Sequence, residues 1–184
     1  MSWASRGLRG STLEEYIDLT NAKYRDHGLA LVNKIPTPIT PVKFDGETRT
    51  ISLAYFDEKS TVDYIGIVQG IAVCFDAKEV FRNYLPLQNI HSHQVEFMEE
   101  FQRQKGISFL IVNFKATGDF FYLPFRILKD FWDGAQDGKR RSIPYEAFPQ
   151  QYKIYNKSGF LVHYLEPLNR DIIAIEGEGG SKGE

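Results

Sequence analysis

Cysteine is nearly missing: Cys74 stands alone among 184 residues. One thiol closes no internal disulfide, and no Cys cluster is present to hold zinc. Long hydrophobic runs are missing too. No apolar stretch approaches the roughly 18 to 20 residues of a membrane span, and Met1-Ser2-Trp3-Ala4-Ser5-Arg6 lacks the apolar core of a signal peptide. These absences set the expectation of a soluble, cytoplasmic protein in a reducing compartment, with no membrane partner. A surplus of positive charge is also lacking. The net charge is −2, and residues 161–184 hold five acids against two bases, which leaves 20 bases and 19 acids in residues 1–160. Binding to nucleic acid through bulk charge is thereby excluded, and any such contact must rest on local patches. There are no internal repeats. The 42% hydrophobic and 25% charged residues are ordinary globular composition. A single domain over 1–176 is expected, followed by a disordered acidic tail over 177–184.

Ser11-Thr12-Leu13-Glu14 has the form of a capping box, and Leu13, Ile17, Thr20 and Tyr24 recur at helical spacing, which predicts a helix over about 12–26 stopped by Gly28. Leu29 to Ile35 reads as a strand closed by Pro36-Thr37-Pro38. Within the excursion that follows, Val42 to Phe44 and Thr48 to Tyr55 read as strands about an Asp45-Gly46 turn. Tyr64 to Val68 and Ile71 to Phe75 form a hairpin across Gln69-Gly70. A helix capped by Asn89 or Ser92 runs to about Lys105, strands cover Ile107 to Phe114 and Phe120 to Leu123, and a short helix covers about 124–133. Beyond Pro144 the pattern is weak. The order of elements predicts an α/β domain with a mixed sheet.

The hairpin carries the chemistry. With Gln69 and Gly70 as its loop, Val68 faces Ile71, and extending the register sets Asp63 opposite Asp76. Residues 76 and 78 share a face, so Lys78 joins the pair. Two adjacent carboxylates at the end of a buried sheet need a shared proton or a cation. Magnesium suits such oxygen donors and keeps waters, one of which can become the attacking hydroxide, while the lysine neutralises charge on a phosphate. That is phosphodiester hydrolysis, and Asp63…Asp76-Ala77-Lys78 resembles the PD-(D/E)xK nuclease signature.

A longer set of residues resembles one family. Arg9-Gly10-Ser11-Thr12-Leu13-Glu14-Glu15, Asn21 and Tyr24, Pro36-Thr37-Pro38, Ser60 to Gly66, Phe75 to Glu79, Pro86-Leu87, His91-Ser92-His93-Gln94, and Phe131-Trp132 ahead of Arg141-Ser142-Ile143 are similar, in that order, to the RecU family of Holliday-junction resolvases. The resemblance covers about residues 6–146. It implies a restriction-endonuclease-like core with a protruding stalk, here the hairpin over about 37–58. It also implies symmetrical nicking of four-way DNA junctions by a homodimer with Mg2+ or Mn2+, and a RecA-type recombinase partner. The family usually has Glu where this chain has Asp76, one methylene shorter.

Glu14 has two readings: the capping-box partner of Ser11, or, through its spacing from Gly10 as in related resolvases, a member of the metal shell. Thr61 is expected on the face of Asp63, in reach of phosphate, although β propensity alone explains it. Gln94 is expected to face the site from the start of its helix. His91 and His93 are better caps or phosphate contacts than zinc ligands, since no third soft ligand is near. Lys43 and Arg49 in the stalk, and Arg140 and Arg141 in the Lys139-Arg140-Arg141 loop, are candidate DNA contacts against the plainer reading of solvated charge. The alternative function is a junction-binding, recombinase-modulating protein with weak or no cleavage. A sequence-specific restriction enzyme shares the core but needs a target-recognition segment that this chain lacks.

Overall fold

The computed structural model describes residues 12–56 and 61–180. Ser11, the expected cap, lies outside them. The first helix forms where predicted, as α1 (Thr12–Asp26), and β1 follows (Leu31–Lys34). A separate ribbon of β2 (Ile39–Asp45) and β3 (Thr50–Phe56) comes next, then β4 (Tyr64–Val68), β5 (Ile71–Val80) and β6 (Tyr84–Pro86). The second half is α2 (Ser92–Arg103), β7 (Ile107–Phe114), β8 (Asp119–Pro124), α3 (Phe125–Gln136), β9 (Ser142–Pro144), β10 (Lys153–Ile154) and α4 (Leu165–Gly180).

The central sheet has the order β1-β4-β5-β7-β8-β10, and β5 with β7 is its parallel pair. This is the mixed α/β architecture expected. One face buries Leu13 and Ile17 of α1 and Leu168 of α4 against Tyr64, Phe75 and Phe109. The other buries Val95 and Met98 of α2 and Leu128 of α3 against Cys74, Leu110 and Leu123. Both faces of β5 are therefore apolar, as its sequence implies. A row of rings crosses the first face: Tyr64 on Phe75 (centroids 4.8 Å), Phe75 on Phe109 (4.7 Å) and Phe109 on Tyr122 (4.2 Å). Such stacked pairs add about 0.5–1.5 kcal/mol each beyond burial, so the register of four strands is pinned by one aromatic ladder.

The Gln69-Gly70 turn forms as expected, with φ of +48° and +89°, the left-handed pair that a two-residue hairpin loop requires. Gln69 Nε2 also donates to the carbonyls of Gly28 and Leu29, tying the turn to the end of α1. The ribbon differs from expectation at its tip. Asp45 pairs with Thr50, so the loop has four residues, 46–49, instead of two. Asp45 Oδ1 accepts from the backbone N–H of Glu47 and Thr48, and Arg49 takes φ +53°. Every residue from Pro41 to Leu53 is exposed, including Val42, Phe44, Ile51 and Leu53. The ribbon projects, and its surface is more apolar than basic.

Three further expectations are corrected. The second helix is capped by His91, because Leu87–Asn89 is occupied by a 3-10 turn and Gln94 Oε1 accepts from His91 N. Thr61 lies in a bend before β4, not on the strand. The terminal segment is helical as far as Gly180, so residues 177–180 of the expected tail continue α4, and residues 181–184 lie outside the described part. Among the described residues no helix is long and apolar enough to cross a membrane.

Gly66 is fixed by close approach. A Cβ there would sit 2.3 Å from the Leu31 carbonyl oxygen and 2.5 Å from Val32 Cα, both backbone of the adjoining β1. Gly66→Ala should therefore force β1 off β4 and cost about 2–3 kcal/mol. Urea unfolding of the purified variant measures this, and an unchanged midpoint would contradict the close approach.

Candidate active site

The site arises where β5 outlasts one of its partners. β4 pairs with β5 from Val68↔Ile71 to Tyr64↔Phe75, whereas β7 follows β5 all the way to Val80↔Phe114. Beyond Phe75, the β4 side of β5 has no ladder. Asp63 fills the gap with its side chain: Oδ2 accepts the Ala77 N–H at 2.8 Å, while its own carbonyl accepts from Ile35 N at 2.7 Å. The carboxylate is thereby turned toward Asp76.

Asp76 has no exposed surface. Its Oδ1 accepts from Gln94 Nε2 at 2.8 Å, and its Oδ2 makes no hydrogen bond but is ion-paired with Lys78 Nζ. Gln94, itself buried, links the site to the start of α2, because its Oε1 accepts from His91 N at 3.0 Å. Burial pushes the Asp63 carboxyl up from 3.8 to about 7, and the facing Asp76, by charge and hydrogen bond, adds to the rise. The Ala77 N–H and the Lys78 ammonium oppose it. A proton or a cation is thus favoured between the two carboxylates.

Asp63, Asp76, Lys78 and Gln94 are brought together as the sequence anticipates. Glu14 stands beside this group in an ion pair with Lys34 at 2.6 Å. The same Lys34 ammonium is held above its ordinary range first by its hydrogen bond to Glu14, with Asp18 and Asp63 adding to the effect. Among the described residues no three His, Cys, Asp or Glu side chains gather as a metal cage. Lys43 and Arg49 lie out on the ribbon. Arg140 and Arg141 are exposed before β9, with Arg140 Nε donating to Ser142 Oγ. Neither pair is joined to the carboxylates.

Sequence reasoning missed Glu79. Its Oε1 accepts from Leu13 N at 3.0 Å and Lys115 Nζ at 3.0 Å, so the residue after Lys78 caps the first turn of α1 from 66 positions away. An acid at a helix N-terminus is stabilising, yet nothing in the local sequence marks a cap supplied from such a distance. A cavity of about 500 Å³ around Ile71 and Ile107 opens at the other end of these strands, away from the carboxylates.

A mixed sheet whose hairpin juxtaposes two carboxylates and a lysine defines a nuclease of the D…DxK class. The family model for RecU, Recombination protein U, matches residues 8–170, and the chain belongs to this family. A Holliday junction resolvase RecU from Pediococcus pentosaceus is 39% identical over 171 residues, covering 90% of this chain and 85% of that one. Another from Staphylococcus carnosus is 38% identical, covering 91% and 83%. One from Geobacillus is 39% identical, covering 75% and 71%. The solved structure of Archaeoglobus fulgidus Hjc, a Holliday junction resolvase, aligns with 74% of this chain and 91% of that one at a TM-score of 0.46 and 10% identity.

The carboxylate pair should leave a mark on stability. In chelator, the folded chain keeps at Asp63 a proton that the unfolded chain releases near 3.8. Stability of the metal-free protein should therefore fall as pH rises between about 4 and 7 and level off above that. Asp63→Asn should flatten this contribution and raise the unfolding midpoint at pH 7.5. Urea titrations of both proteins in EDTA at several pH values measure the difference, and parallel curves would count against the facing carboxylates.

Proposed function

We propose that this chain is a structure-selective endonuclease that resolves four-way DNA junctions by Mg2+-dependent phosphodiester hydrolysis, in recombination and repair. The observation that carries the proposal is the facing of Asp63 and Asp76 beside Lys78, at the point where β5 has lost its ladder on one side. The donors suit a hard divalent cation: two facing carboxylates, with Asp76 Oδ1 on Gln94 and Asp76 Oδ2 on the Lys78 ammonium. Two protein ligands leave the remaining positions to water and phosphate, which is how Mg2+ is commonly held, and Mn2+ fits the same donors. Bound there, the ion would supply charge neutralisation at the phosphate and a water of lowered pKa.

The chain's own residues then divide the work. Asp63 and Asp76 hold the seat, and Gln94 keeps the Asp76 carboxylate from turning. Lys78 presents its ammonium to the phosphate and offsets the charge that builds there. Glu14 stands as an outer acid on α1, with Lys34 as its counter-ion. Thr61, Arg140 and Arg141 are assigned as phosphate contacts of the domain, and Lys43 and Arg49 as those of the ribbon. Two symmetry-related nicks require two such sites, so the acting form is a two-fold homodimer. It works in the cytoplasm alongside a RecA-type recombinase.

Asp63→Asn should abolish cutting of a synthetic four-way junction in Mg2+ while leaving junction binding intact, since it keeps shape and removes one ligand charge. Near wild-type cleavage by this variant would overturn the assignment of Asp63. Wild-type binding without cleavage, with or without Mg2+, would favour a junction-binding protein instead.

The ribbon of β2 and β3 is proposed to read the open centre of the junction, where duplex leaves no room for it. Replacing residues 40–54 with a short Gly-Ser linker should leave a folded protein that no longer prefers junctions to linear duplex. Unchanged selectivity in a competition gel-shift assay would show that the ribbon has no such part.

A further inference from the structure

At the end of β5 the chain leaves the sheet, and between there and α2 it builds a cavity of about 240 Å³ whose lining includes Glu79, Phe81, Arg82, Tyr84, Gln88 and Asn89. We propose that this cavity receives a single nucleobase, unstacked from the branch point next to the scissile phosphate. The proposal rests on the junction-cleaving reading and adds to it the means by which the centre grips a branched strand.

The walls are held rigidly by alternation. Leu85 is buried and pairs with the buried Ile143 of β9, so its neighbours on β6, Tyr84 and Pro86, are left on the outer side. Tyr145 N donates to the Asn83 carbonyl and Leu87 N to that of Arg141, which fix both ends of the small ribbon of β6 and β9. Phe81, by contrast, is 77% exposed, more than any other large apolar side chain among the described residues. An isolated exposed apolar side chain needs no explanation, but this one faces a formed cavity.

The lining matches one chemistry. Phe81, Tyr84 and Pro86 offer flat apolar faces, and base–aromatic stacking tolerates any base. Gln88 and Asn89 are exposed amides able to donate to and accept from a base edge. Arg82 lies over the Tyr84 ring, 5.6 Å from its centroid, and donates to the Tyr84 hydroxyl, so its guanidinium is set in place with donors left for a phosphate. The one acid in the lining, Glu79, has its charge offset by Leu13 N and Lys115.

Position ties the cavity to the reaction. Its lining begins at the end of β5, the strand that carries Asp76 and Lys78, with Glu79 on the opposite face of that strand from Lys78. It ends at Asn89, two residues before His91, whose N–H is bound by the Gln94 that holds Asp76. A base seated there belongs to a nucleotide close to the one whose phosphate meets Lys78. In intact duplex that base is paired and stacked, and only a branch releases it at small cost.

A four-way junction carrying 2-aminopurine at each branch position in turn tests this. With wild-type protein in Ca2+, where binding is read without reliance on cutting, the fluorescence of one position should rise as that base leaves its stack. Phe81→Ala should lose the rise and, in Mg2+, cut about ten-fold more slowly, with its unfolding midpoint unchanged. Phe81→Trp should retain cutting, and its indole fluorescence should be quenched by unlabelled junction but not by linear duplex. A Phe81→Ala protein that keeps both the signal and the rate overturns the pocket while leaving junction cleavage intact. A wild-type protein that shows the Phe81-dependent signal yet never cuts supports the pocket and overturns the cleavage reading.

Discussion

The stacking of Tyr64 on Phe75 is the contact on which the rest depends. These two residues are cross-strand partners, and each stands next to a carboxylate: Asp63 precedes Tyr64 and Asp76 follows Phe75. A slip of one residue would turn every side chain of the strand to the other face, parting the carboxylates and pushing rings into the helices of the wrong layer. The aromatic ladder through Phe109 to Tyr122 makes that slip costly across four strands at once. Two like charges are held face to face because rings in the core leave the backbone no other register.

A second constraint joins the sheet to the first helix. Glu79 caps α1 through Leu13, and the Tyr64 hydroxyl donates to Asp18 at 2.9 Å. Helix and hairpin therefore share bonds at the residues flanking Lys78 and Asp63. Glu14 owes its location to this suspension more than to its own ion pair with Lys34, which is partly exposed and contributes little by itself.

The hairpin of β4 and β5 was legible in the sequence because two independent signals agree. Apolar residues fill both faces, and Gln69-Gly70 supplies a turn whose geometry sets the register. Gln94 could be placed by its position at the start of the helix after Lys78. The C-terminal part was illegible for a physical reason. α4 buries Asp171, which accepts from the Tyr122 hydroxyl at 2.7 Å and is paired with Arg126, so its inner face carries a charge where an amphipathic pattern has an apolar residue. The segment before it is made of 3-10 turns too short to have a period. Glu79 and Lys34 escaped because a bond between distant segments leaves no spacing to read, and the ribbon's loop because Asp45 serves as its first bonded acceptor instead of entering a two-residue turn.

The first helix is also held from the far end of the chain. Thr20 Oγ1 accepts from Val162 N, and Asn21 Oδ1 from the Tyr164 hydroxyl, across separations of 142 and 143 residues. Contacts so distant in sequence close late, after the entropy of a long loop has been lost. During synthesis, Asp63, Asp76 and Lys78 leave the ribosome well before Val162 and Tyr164 exist. The nascent chain thus carries these three side chains while the helix beside them still lacks the anchors that Val162 and Tyr164 supply. Assembly of the centre is deferred until Val162 and Tyr164 have emerged.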